Sequence, residues 1–158
     1  MKKAALFILT ALLLMSFAAC GNTQKLSSEY DESVVLSKAE AVIGLIHDGD
    51  FTSVEYMVKD ELKSQLSAEI LKDVMDPLID KAGKFDSFGT EKAVGTTAKD
   101  GTAYAVAVIE AKYENATMIY TISFDKDYHI VGFYIKYEKD GYLLPVGGRY
   151  FLFSIIIR

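Results

Sequence analysis

The chain is poor in the residues from which small proteins build covalent or metal staples. It has one cysteine, Cys20, so no disulfide can form within it, and only two histidines, His47 and His129, in 158 residues. It contains no G-x-S-x-G nucleophile elbow and no H-E-x-x-H zinc helix. Basic residues are in deficit, with 17 Lys and Arg against 22 Asp and Glu and a formal net charge of −5. No basic stripe relieves that balance, so the chain repels phosphate backbones and no nucleic acid is expected as a partner. The leading apolar run, Ala4 to Met15, falls short of the ~20 residues that a spanning helix needs.

What is there begins with an address. Met1-Lys2-Lys3 is a short cationic start, Ala4 to Met15 is apolar apart from Thr10, and Ala18-Ala19 lead with small residues into Cys20-Gly21. This arrangement resembles the bacterial lipobox, with Phe17 standing where leucine is usual. The resemblance implies a signal peptide over residues 1–19 and a diacylglyceryl group on the Cys20 thiol, holding the mature chain at the cell membrane, outside the cytoplasm. Two acyl chains give stable attachment where one is marginal. Lys2 and Lys3 lie in the leader, so the mature part carries 15 basic against 22 acidic residues. Residues 20–29 are polar beyond the cysteine and without period, which predicts a tether reaching up to ~30 Å.

Residues 30–141 carry the patterning of one α+β domain, helices first. Val34, Val35, Ala39, Val42, Ile43 and Ile46 recur at helical spacing from Asp31 to Asp48, and Gly49 suits a left-handed stop. Thr52-Ser53-Val54-Glu55 has the form of a capping box opening a short helix. Ser67 caps a third helix with an apolar stripe of Ile70, Leu71, Val74, Met75, Leu78 and Ile79. Pro77 either kinks that helix or opens a following turn behind Asp76, and Gly83 closes the helical half.

From Phe85 the period becomes two. Residues 102–114, 116–125 and 129–138 read as strands rich in β-branched and aromatic side chains; a weaker strand over 85–97 is interrupted by Gly89 and Gly95. The short separators make neighbours antiparallel hairpins, giving a curved sheet of four or five strands with helices on one face. Met118, Tyr120, Ile122 and Phe124 share the inward face of one strand. On the strand before it, Tyr104, Val106, Val108 and Glu110 are taken as the inward line. Residues 142–158 pass through a Pro145-Val146-Gly147-Gly148 turn into an apolar run, either a further strand or a truncated tail.

Gly49-Asp50-Phe51, Gly83-Lys84-Phe85 and Ile130-Val131-Gly132-Phe133, in that order, resemble a bacterial family known as domain of unknown function 3887, over roughly residues 36–136. The resemblance implies a cone-shaped, nuclear-transport-factor-2-like fold with a pocket between sheet and helices. It implies no catalytic residues. Some members of that family carry the domain ahead of an α/β-hydrolase.

The search for chemistry yields little. Asp48-Gly49-Asp50 is no EF-hand, because the sixth and twelfth places hold Ser53 and Lys59. Asp125-Lys126-Asp127 reads as turn chemistry, Asn115-Ala116-Thr117 as a tight turn, and Asp73, Asp76 and Asp80 as a solvated helix face. No metal or cofactor is expected. Ten tyrosines remain, and those in strands could line a pocket with apolar rings and orienting hydroxyls. The candidate lining is Tyr104, Glu110, Tyr120, Phe124 and Tyr134. These features predict a non-catalytic, membrane-anchored module for a small apolar ligand, an envelope fragment or an envelope protein. The alternatives are a small cone-fold enzyme with Glu110 as its base, and an accessory domain to a separately encoded α/β-hydrolase.

Overall fold

The computed structural model describes residues 24–139 and 153–155. Cys20 and the leader lie outside the described residues.

Helix α1, Glu32–His47, opens on Asp31, whose carboxylate accepts the N–H groups of Ser33 at 2.9 Å and Val34 at 3.2 Å. Val35, Ala39, Val42, Ile43 and Ile46 are buried along one stripe. Gly49, at φ +74°, makes the left-handed turn that ends this segment. Helix α2, Phe51–Met57, is capped by Asp50 through Ser53 N–H at 3.1 Å, two residues earlier than the Thr52 capping box predicts. Asp caps better than Thr, and starting at Phe51 buries that ring to 4% exposure. Glu55, freed from the box, accepts the N–H of Ala68 at 2.7 Å instead.

Helix α3, Ala68–Ala82, is capped by Ser67 as its sequence predicts. Pro77 neither ends it nor opens a turn. It sits on the exposed side, where solvent can serve the carbonyl that proline leaves unbonded. Leu71, Met75 and Ala82 are buried, while Val74, Leu78 and Ile79 pack at the margin of the core.

The sheet is an antiparallel meander in the order β1-β2-β3-β4-β5: Phe85–Thr97, Ala103–Tyr113, Ala116–Phe124, Ile130–Lys139 and the three-residue Phe153–Ile155. Helices first, then an antiparallel sheet, make the α+β class. The strand expected to be weak, β1, is the longest. Its glycines admit neighbours rather than break it: a Cβ at Gly89 would meet the Glu110 carboxylate at 2.8 Å, and one at Gly95 the Lys25 carbonyl at 2.6 Å.

Ala116, Met118, Tyr120, Ile122 and Phe124 are all fully buried on one face of β3, as alternation predicts. On β2 the inward line is the other one. Ala105, Ala107, Ile109, Ala111 and Tyr113 are buried, whereas Tyr104, Val106, Val108 and Glu110 are half-buried. Helix α1 lies over β2, and alanines let its backbone approach closely, so small size rather than hydrophobicity marks the packed face.

The predicted tether is shorter than its composition suggests. Gln24 exchanges both backbone hydrogen bonds with Gly95, Leu26 packs against the core, and Tyr30 is buried. The folded unit therefore begins at Gln24 among the described residues.

Candidate functional site

A meander places its turns alternately at two ends of the sheet. One end carries the loops 98–102 and 125–129; the other carries the β2–β3 turn at Glu114-Asn115, the end of α1 and Gly83. Each end has a cleft.

The larger cleft, about 670 Å³, lies at the second end and is lined by Lys84, Phe85, Asp86, Lys112, Tyr113, Glu114 and Thr117. Register builds it: Phe85 pairs with Tyr113, and Lys112 lies opposite Thr117. Gly83, at φ +81°, turns the chain from α3 into β1. The β2–β3 turn then fastens there through Asn115 N–H to Ala82 at 2.8 Å and Glu114 N–H to Lys84 at 2.9 Å. A Cβ at Gly83 would come within 2.8 Å of the Asn115 side chain, so glycine is required for contact as well as conformation.

Phe85 and Tyr113 join this cleft to an aromatic cluster at the core margin. The Phe85 and Tyr113 rings meet edge to face at 5.7 Å, Phe88 stands 5.0 Å from Phe85, and the His47 ring is tilted against Phe85 at 5.6 Å and Tyr113 at 6.0 Å. Behind it the Tyr113 and Tyr120 hydroxyls are 3.0 Å apart, and the Tyr120 hydroxyl also reaches the Met118 sulfur at 3.4 Å. Burial pushes up the pKa of both phenols, Tyr120 most strongly. Two lysines and two carboxylates line the cleft beside Phe85, while Tyr113, at 4% exposure, offers it little surface. That arrangement can stack against a flat or apolar group and pair with charges of either sign, but it sets no nucleophile beside a base.

The smaller cleft, about 430 Å³, lies at the first end, among Tyr56, Val58, Lys59, Asp60, Glu61, Lys63, Asp125, Asp127 and His129. Asp125 is the buried charged residue among the described ones, at 7% exposure. Its Oδ1 accepts the N–H groups of Asp127 at 3.0 Å and His129 at 2.9 Å, the turn chemistry its sequence predicts, and Lys59 lies 3.5 Å from Oδ2. Ligand-capable atoms of Asp125, Asp127 and His129 fall within 4.8 Å of one another, the compass of one cation. Lys59 and Lys126 already occupy the carboxylates of Asp125 and Asp127.

The five residues suggested as one lining do not come together. Tyr120 and Phe124 are sealed in the core, at 0% exposure. Tyr104 is half-buried at the start of β2, against the core margin. Glu110 and Tyr134 alternate with buried neighbours and so stand on the outer face of the sheet, Glu110 over Gly89. The space between sheet and helices is filled by Tyr113, Met118, Tyr120, Ile122, Phe124 and Phe133 together with α1. Phe85, Lys112 and Tyr113 of the larger cleft were missed as a group. Counting back from the two-residue turn at Glu114-Asn115 and forward from Gly83 could have paired them. Tyr30 was missed as well. It stands just past the segment read as tether, its hydroxyl donates to the Ala103 carbonyl at 2.9 Å, and burial with the nearby Asp125 pushes its pKa up to about 12.

Helices packed on one side of a five-stranded meander define an α+β domain with end clefts. The chain belongs to the family described as "Protein of unknown function (DUF3887)", which it matches over residues 39–133. Among solved structures it is similar to a protein from Ruminococcus gnavus ATCC 29149, determined by NMR. The two share 27% sequence identity and a TM-score of 0.61, over 70% of this chain and 96% of the other. No curated protein matches it.

Proposed function

We propose that this chain is an outward-facing, lipid-anchored and non-catalytic binding module, with the Phe85–Tyr113 cleft as its recognition site. The carrying observation is the make-up of that cleft: the partly exposed Phe85 ring beside Lys84, Lys112, Asp86 and Glu114. Such a site suits an envelope fragment that offers an apolar or planar group beside both charge signs, a zwitterionic peptide being the simplest case. The anchor is Cys20. No helix among the described residues is long and apolar enough to cross a membrane. The space where a cone-fold enzyme would hold a general base is packed with apolar side chains and paired hydroxyls, and Glu110 lies on the opposite face of the sheet.

The test is an NMR titration of the mature chain with short zwitterionic wall peptides and, separately, with a fatty acid. Amide shifts should cluster at Lys84 to Asp86 and Lys112 to Thr117, and Phe85→Ala should abolish them while leaving the remaining spectrum folded. Shifts confined to other regions would remove the cleft from the proposal. Turnover of a peptide in the same samples would remove its non-catalytic part.

A further inference from the structure

The residues between Cys20 and the folded domain are too few to let the domain turn freely. Gln24 N–H donates to the Gly95 carbonyl at 2.9 Å, and Gly95 N–H to the Gln24 carbonyl at 2.8 Å. The Thr97 hydroxyl adds a bond to the Gln24 side chain at 3.0 Å. The Lys25 carbonyl then rests on Gly95, so close that only glycine fits beneath it. Further on, Leu26 packs on the core and the Tyr30 ring meets Tyr128 edge to face at 6.0 Å. The chain is thus fastened from Gln24 onward. Four Cα-to-Cα steps separate Gln24 from Cys20, and they reach at most about 14 Å, whatever path they take.

The direction of approach is fixed too. The Gln24–Gly95 bridge is antiparallel and β1 runs from Phe85 toward Thr97, so the backbone at Gln24 has its N-terminal side toward the Thr97 end. That is the end with the loops 98–102 and 125–129. The Phe85–Tyr113 pair lies ten positions back along β1 from Gly95, about 30 Å away on an extended strand.

We propose that the domain stands end-on at the lipid surface, its 98–102 and 125–129 loops toward the bilayer and the Phe85–Tyr113 cleft toward the outside. This rests on the lipid-anchor reading of Cys20. With Gln24 held within about 14 Å of the headgroups, an inverted domain would need a tether longer than the chain provides. Electrostatics does not set this orientation. Lys99 and Lys126 on the near loops are offset by Asp100 and Asp127, so covalent reach and the Gln24–Gly95 clamp set it.

The experiment uses the full-length lipidated protein in phosphatidylcholine–phosphatidylglycerol vesicles that carry a nitroxide lipid. One fluorophore is placed through Lys99→Cys or Asp86→Cys, both exposed positions, the Cys20 sulfur being closed as a thioether. The Lys99 position should be quenched several-fold more strongly than Asp86. Gly95→Val, which forces Lys25 off β1, should narrow that difference while vesicle flotation persists. Should this variant fail to fold, six Gly-Ser residues inserted after Thr23 should narrow it without touching the domain. Equal quenching of the two positions in protein that floats overturns the orientation and leaves the anchor intact. Protein whose N-terminal fragment has no lipid mass, and which does not float, overturns the anchor reading and the orientation with it.

Discussion

The carboxylate of Glu55 in α2 accepts the backbone N–H of Ala68, the first residue of α3, at 2.7 Å and thirteen positions away. One side chain thereby serves an orphan donor of the next helix, where a negative charge is also favoured by the helix dipole. Glu55→Ala should cost about 0.5–2 kcal/mol in urea unfolding, while Glu55→Gln, which keeps an acceptor, should cost less. Equal losses would show that the negative charge, rather than the acceptor oxygen, carries the effect.

The Tyr113–Tyr120 hydroxyl pair gives a second expectation. Tyr120→Phe strands the Tyr113 hydroxyl at the edge of the core and should cost about 1–3 kcal/mol, whereas changing both to Phe should recover much of that loss. A double-mutant cycle on thermal unfolding measures the coupling.

Core packing predicts the largest single loss. Ile122 is fully buried on β3, and Ile122→Ala should destabilise by ~2–5 kcal/mol through lost burial and the cavity left behind.

Acid groups pull the pH dependence in opposite directions. Burial raises the pKa of Glu91 above its usual 4.5, assisted by a hydrogen bond and repulsion from Glu40. A raised carboxyl favours the folded state most below its unfolded pKa and loses that contribution as pH rises through the folded value. Glu91→Gln should therefore raise the urea midpoint at pH 7 and leave it unchanged at pH 4. The helix caps Asp31 and Asp50 are lowered, first by bonds from the Ser33 and Ser53 hydroxyls, so their contributions hold above 3.8 and fade on acidification. A pH 7 midpoint unaffected by Glu91→Gln would remove the carboxyl pair as a determinant of stability.

For the anchor, Cys20→Ser should abolish lipid labelling and leave either an uncleaved precursor or a free, secreted chain. Membrane attachment that survives the change would remove the lipoprotein reading, because Cys20 offers the single thioether site.

Periodicity made the helices and β3 legible, since Val35, Ala39 and Ile46, or Met118, Tyr120 and Ile122, each mark a face by hydrophobicity alone. It misled on β2. There the packed face is the alanine face, because α1 lies directly against it, and the bulkier valines turn away. Gly89 and Gly95 looked like interruptions because a glycine in a strand reveals nothing of the neighbour it admits. Thr52 and Asp50 both fit a helix start, and the choice depended on Glu55 having a partner in another helix. The larger cleft was hidden for a related reason: Phe85 and Tyr113 are brought together by strand register, which a local pattern does not carry.

The bond between Thr97 and Gln24 spans 73 residues, in a sheet whose strands otherwise pair with their sequence neighbours. Hairpins of that kind close short loops at little entropic cost and can form one after another as the chain lengthens. Gln24 must wait until β1 has been made before it finds Gly95. The earliest of these residues in the chain is thus fastened only across all three helices, a far longer closure than any hairpin of the sheet requires.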